Sequence, residues 1–119
     1  MIRVKRIYET AELADGFRIL VDRLWPRGIR KQDAAIDLWL RDIAPGADLR
    51  RWFGHDPAKW SEFCRRYAHE LAAKDSDIRS LRDKARTGTV TLVYSAADVE
   101  HNNAVALKRF LEKSLAHTH

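Results

Sequence analysis

The stretch Gly88-Thr89-Val90-Thr91-Leu92-Val93-Tyr94-Ser95-Ala96-Ala97-Asp98-Val99-Glu100-His101-Asn102-Asn103-Ala104-Val105-Ala106-Leu107 constrains the fold more than any other part of the chain. A glycine opens a β-branched apolar run, the pattern of a buried strand. Small and polar residues follow, and then an apolar spacing of helical period. Strand, short loop and helix make half of a βαβ unit, and ligands of α/β folds gather at such loops. The stretch predicts an α/β class, with a site between the strand end and the helix start.

Residues 2–8 alternate imperfectly through Ile2, Val4 and Ile7 and predict a strand near a sheet edge. Residues 9–16 are short and polar, with Leu13 their main apolar residue and room for a helical turn before Gly16. Phe17 to Leu24 predicts a second strand, whose Ile19-Leu20-Val21 centre suits burial on both faces. Pro26 lacks an N–H and biases Trp25 toward extended backbone, and Gly28 permits a turn, so this strand stops there. Residues 31–42 fit two patterns. Ile36, Leu38 and Leu40 alternate as in a strand, whereas Ile36, Trp39, Leu40 and Ile43 suit a helix, and Ala44-Pro45-Gly46 ends either one.

Asp48 is the expected cap of a short helix through Leu49, Trp52 and Phe53, closed by Gly54. Asp56, with Pro57 in the first helical position, starts a helix whose apolar face is Trp60, Phe63, Cys64, Tyr67 and Leu71. Ser76 or Asp77 should cap a third, carrying Ile78, Leu81 and Ala85 and stopped by Gly88. Asp98 is the expected cap of the last helix. Ala104, Leu107, Leu111 and Leu115 form its stripe with Phe110 beside it, and residues 117–119 should fray. The order of elements predicts one domain over residues 1–119. It is a small layered α/β sandwich, with a short, mainly parallel sheet of three or four strands flanked by helices.

A chain of 119 residues can bury a core without staples. Its 22 basic and 17 acidic residues leave a formal charge of +5, which could attract phosphate or nucleic acid, although the two signs are interspersed. No apolar run approaches the roughly 20 residues of a membrane span, so no membrane partner is expected. The N-terminal residues alternate rather than forming a signal-peptide block. Cys64 stands alone and has no intramolecular disulfide partner. Together these features predict a cytoplasmic protein.

Three blocks point to a family. They are Leu20-Val21-Asp22-Arg23-Leu24-Trp25-Pro26-Arg27-Gly28, Trp52-Phe53-Gly54-His55-Asp56-Pro57-Ala58-Lys59-Trp60, and Val90 to Asp98 with His101-Asn102-Asn103-Ala104. In order and spacing they resemble the YeaO-like proteins of the domain-of-unknown-function 488 family, over nearly the whole chain. The resemblance implies a small cytoplasmic bacterial or archaeal α/β protein and brings no settled activity or catalytic residues. A wider branch of that family has cysteines around the last strand and helix start, the second in a Cys-His-Arg block. This chain has Ser95 and His101-Asn102-Asn103 there and keeps only the histidine, so the thiol chemistry of that branch does not carry over. Cys64 is no substitute, because it falls on the apolar face of another helix.

If the second strand and the strand ending at Tyr94 are parallel neighbours, Asp22, Arg23 and Arg27 meet Ser95, Asp98 and His101. Arginines offer planar bidentate donors to phosphate or carboxylate, and helix N-termini attract anions. Asp22 would orient an arginine. His101 is a candidate acid or base and Ser95 a candidate nucleophile, making a catalytic set of His101, Ser95 and Asp22. No Gly-x-Ser-x-Gly elbow accompanies Ser95. Ligand contacts are expected from Arg23, Arg27, Trp25, His55, Asp98, Asn102 and Asn103. The spacing of His55 and His101 does not suit a metal, and no cofactor is expected. The function expected is binding of, or action on, an anionic, phosphate-bearing small molecule. The alternative is a nucleic-acid-binding or DNA-associated accessory protein without catalysis, using Trp25 for stacking.

Overall fold

A strand apolar on both faces needs neighbours on both edges. β4 (Val90–Tyr94) has them: it is buried along its whole length and lies between β1 (Ile2–Arg6) and β2 (Phe17–Leu20). The computed structural model describes residues 1–116, and the side chains of residues 1–113. In it a two-residue strand, β3 (Leu38–Trp39), completes the sheet beyond β2, and all three pairings are parallel. The parallel sheet and the edge position of β1 match the expectation from sequence. Residues 31–42 form neither a long strand nor a helix: β3 sits between the 3-10 turns Lys31–Asp33 and Arg41–Ile43.

Helices α1 (Ala47–Phe53), α2 (Trp60–Ala72), α3 (Asp75–Thr87) and α4 (Asn103–Ala116) supply the apolar stripes read from the sequence. Phe63, Tyr67 and Leu71 of α2, Ile78 and Leu81 of α3, and Ala104, Leu107 and Leu111 of α4 bury against Ile2, Ile19, Val21, Val90, Leu92 and Tyr94. Asp56 caps as expected, its carboxylate accepting the Ala58 N–H at 3.0 Å, but what it starts is a 3-10 turn, Pro57–Lys59, that leads into α2 at Trp60. Other boundaries differ. α3 starts at Asp75, before Ser76 or Asp77 can cap it. Asp48 lies inside the first turn of α1, behind Gly46. Asp98 does not cap α4. It closes the preceding turn on the Glu100 and His101 N–H groups, and Asn102 caps instead by accepting the Val105 N–H at 3.0 Å. β1 ends at Arg6 and β2 at Leu20, each short of its expected limit; Val21 adds one last ladder bond to the Val93 carbonyl at 3.0 Å. Leu115 and residues 117–119 lie outside the described side chains.

Strand alternation sends Arg3, Lys5, Arg18, Leu20, Thr91 and Val93 to the face away from the helices. On it Leu20 and Val93 are covered by Ile7, Ala34, Trp25, Ile29, Ile36 and Trp39. Its charged side chains are closed over by Asp15, which has no exposed surface. The Asp15 carboxylate accepts from Lys5 Nζ at 3.0 Å, Arg18 Nη1 at 2.6 Å and the Glu12 N–H at 3.1 Å. Arg18 also donates to the carbonyls of Ala35 and Ala34, at 2.9 and 3.2 Å, and so fastens the covering segment to the sheet.

Burial pushes the Asp15 carboxyl group up, but the Glu12 N–H, Lys5 and Arg18 outweigh it, and the net displacement is below the ordinary carboxylate value. A carboxylate depressed in the folded state contributes stability above its unfolded pKa, about 3.9, and that contribution is lost as pH falls through the folded value. Urea titrations should show stability declining below about pH 4, and Asp15→Asn should remove that part of the decline. At neutral pH Asp15→Ala should lower stability by about 3 kcal/mol, because it leaves buried cations without a partner. A variant as stable as the parent would show that Lys5 and Arg18 pair elsewhere.

Candidate functional site

β2 and β4 end level, with Leu20 opposite Val93, so the residues that follow them meet. Asp22 Oδ2 accepts both the N–H and the hydroxyl of Ser95, at 2.9 and 2.7 Å. Its Oδ1 accepts from Asn103 Nδ2 at 3.1 Å, and the same amide donates to the Val21 carbonyl at 3.0 Å. One carboxylate therefore ties together the exits of two strands and the first residue of α4. Asp22 pairs with neither Arg23 nor Arg27, and so does not orient them as expected.

The turn into α4 carries His101. Its backbone N–H meets Asp98 Oδ1 at 2.9 Å and its Nδ1 meets Asp98 Oδ2 at 3.0 Å. With Nδ1 donating, Nε2 is the open ring nitrogen. The Glu100 and His101 N–H groups, helped by the ring, hold the Asp98 carboxyl below the usual carboxylate range. Trp60 stands edge-on to the imidazole at 5.3 Å.

Asp22, Ser95, His101, Asn102 and Asn103 line one part of a cleft of about 450 Å³. Arg23, Trp25 and Arg27 line it from the segment after β2, Arg50 and Phe53 from α1, and His55 from the turn after α1. The volume lies in the range of small-ligand sites. The convergence expected from sequence is thus present, and every expected site residue except Asp98 lines the cleft. Asp98 instead braces His101. His55 sits there in the left-handed backbone region, with φ of 56°, directly after Gly54 at 53°. A glycine takes that conformation freely and a histidine does so under strain, which is common beside functional sites.

Trp25 is tied down more than a stacking surface needs to be. Its Nε1 donates to the Ile29 carbonyl at 2.6 Å, and its ring meets Trp39 edge-on at 5.4 Å. The lining residues outside the expected set include Arg50 and Tyr8, both polar. Arg50 is one turn before Phe53, which gives it the same side of α1, but α1 reads from sequence only as an apolar anchor. Tyr8 reads as the end of β1, whereas the strand stops at Arg6 and Tyr8 turns to the cleft.

The electrostatics are one-sided. Asp22 is the one carboxylate among the described lining residues, and Ser95 and Asn103 engage both of its oxygens. Against it stand Arg23, Arg27 and Arg50. Among the described residues no carboxylate forms an ion pair with any of the three arginines, and Arg23 Nε is buried with no hydrogen-bond partner.

The whole chain, residues 1–119, matches the family model described as the inactive DUF488-N3 subclade. The chain belongs to this DUF488 family. Its relatives include the Uncharacterized protein YeaO of Escherichia coli strain K12. That protein is 43% identical over 110 residues, which cover 92% of this chain and 96% of the relative. The Uncharacterized protein Rv3073c of Mycobacterium tuberculosis strain H37Rv is 39% identical over 112 residues, 92% of each chain. No solved structure gives a significant match. Within the DUF488 frame, the cleft joins all three sequence blocks that carry the resemblance.

Ser95→Ala removes a hydroxyl bond to a charged acceptor and should lower stability by about 1.5 kcal/mol in urea unfolding. Asn103→Ala acts on the same carboxylate, so a double-mutant cycle should show coupling between the two changes rather than simple addition. Strict additivity would mean that Asp22 does not act as a common clamp.

Proposed function

We propose that the chain binds a phosphate-bearing anionic small molecule in this cleft and does not turn it over. The observation that carries the reading is the set of three arginines, Arg23, Arg27 and Arg50, that line one cleft and have no carboxylate partner among the described residues. A guanidinium beside an apolar wall, with a buried N–H unmet, favours an incoming oxyanion. The N-terminal end of α4 adds favourable potential on the opposite side, and His101 Nε2 offers an acceptor to a ligand hydroxyl. Binding is preferred to turnover for two reasons. The matching family is described as inactive. The Ser95 hydroxyl, the candidate nucleophile, donates to Asp22 and serves to hold two strands together. In this reading Asp22, Ser95 and Asn103 keep the cleft in shape, and the arginines and His101 contact the ligand.

Thermal shift and calorimetry with inorganic phosphate, sugar phosphates and nucleotides test this. A ligand at about 100 times its Kd stabilises by about 2.7 kcal/mol, a rise of several degrees in Tm. Arg23→Ala should melt near the parent temperature in the absence of ligand and weaken binding at least tenfold, the loss of about one charge-assisted hydrogen bond. If no phosphate-bearing compound shifts the parent protein, the proposal fails. If short oligonucleotides alone bind, with log affinity falling steeply against log salt, the nucleic-acid reading takes its place.

A further inference from the structure

Tyr8 is the aromatic residue of the cleft that the core does not explain. Ile7 before it is buried, yet the Tyr8 side chain lines the cleft and the residue is 46% exposed. It is nevertheless fixed. Its hydroxyl donates to the Arg27 carbonyl at 3.0 Å, and the Arg6 guanidinium lies 4.6 Å from its ring centroid. Arg6 is itself anchored, donating from Nε to the Ala96 carbonyl at 2.9 Å. A ring held at its tip and covered on one face has one face left to offer. Leu24, 70% exposed, also lines the cleft and adds a second apolar surface open to water. An oxyanion satisfies the arginines but leaves both of these surfaces wet.

We infer that the ligand carries a planar aromatic ring beside its anion, as a nucleoside monophosphate does, and that Tyr8 is the surface on which this ring stacks. The inference rests on the anion-binding reading above and extends it to the rest of the ligand. The Tyr8 hydroxyl sits on the backbone of Arg27, so the ring platform and one anion-binding side chain belong to a single tied unit. A phosphate near Arg27 therefore brings an attached base within reach of Tyr8. Pre-positioning of the ring lowers the entropic penalty of stacking. Trp25, the stacking surface expected from sequence, is held edge-on against Trp39 and serves as the wall behind.

Calorimetric titrations with adenosine and cytidine 5′-monophosphates, ribose 5-phosphate and inorganic phosphate test the ring. The nucleotides should bind about tenfold more tightly than ribose 5-phosphate, the scale of one base–aromatic stack. Tyr8→Ala should remove that advantage while leaving ribose 5-phosphate affinity unchanged, and Tyr8→Phe should keep most of it. If the alanine variant does not fold, Tyr8→Leu keeps the apolar bulk without the ring and serves the same comparison. Equal affinity for nucleotides and ribose 5-phosphate overturns the stacking role but leaves the anion site standing. So does a Tyr8 variant that weakens all phosphates alike. If none of the four compounds binds, the anion reading fails and this inference falls with it.

Discussion

The buried Asp15 carboxylate is the interaction on which the second face of this sheet depends. A parallel sheet is normally covered by helices on both sides and is apolar on both. Here the helices occupy one face, and the other carries Lys5 on β1 and Arg18 on β2 alongside Leu20 and Val93. Without Asp15 those cations would repel each other under a layer of loop. With it they are neutralised, and Arg18 has donors left over to hold Ala34 and Ala35. Gly16 makes the arrangement possible. Its φ is 66°, and a side chain there would place Cβ 2.3 Å from the Thr89 carbonyl oxygen. That close approach brings Asp15 over β4, where the Thr91 hydroxyl donates to its carbonyl at 2.7 Å.

Asp22 repeats the device beyond the far end of β2. Asp15 clamps the entry to the strand from above, and Asp22 clamps its exit from the side. Between them they hold the segment that carries Arg23, Trp25 and Arg27. The cleft thus has a rigid floor made from chain ends that would otherwise be free. Its positive charge stays available because the one acidic side chain lining it is consumed internally. Structural and binding roles are divided here among different residues, the carboxylate and amides bracing, the guanidinium groups facing outward.

Much of this is legible in the sequence itself. Period-two and helical spacings locate β1, β2, β4 and four helices, and Asp22 meets Ser95 on the condition, which the sequence leaves open, that β2 and β4 are parallel neighbours. The failures have physical causes. Caps were misplaced where several capping residues lie in a row, since Asp98 and Asn102 can each satisfy N–H groups and only the three-dimensional turn decides between them. Asp15 was invisible because burial of a carboxylate depends on cations contributed by two strands. Leu13 is fully exposed and Asp15 fully buried, the reverse of what hydropathy suggests. Tyr8 and Arg50 were missed because neither the end of a short strand nor a two-turn helix reveals which way its polar side chains face.

The strand order has a consequence for how the molecule comes into being. β1 and β2 never pair with each other; each pairs with β4, which is inserted between them and lies about seventy or more residues further along the chain. During synthesis the first two strands therefore wait, each with an unsatisfied edge, until Val90–Tyr94 has emerged. Neither the Asp15 cluster, which closes over β4, nor the Asp22 clamp, which needs Ser95, can form earlier. Assembly of the sheet thus depends on contacts distant in sequence, which slow folding relative to local pairing. A chain truncated before Val90 would lack not only a strand but the central template on which the rest is assembled.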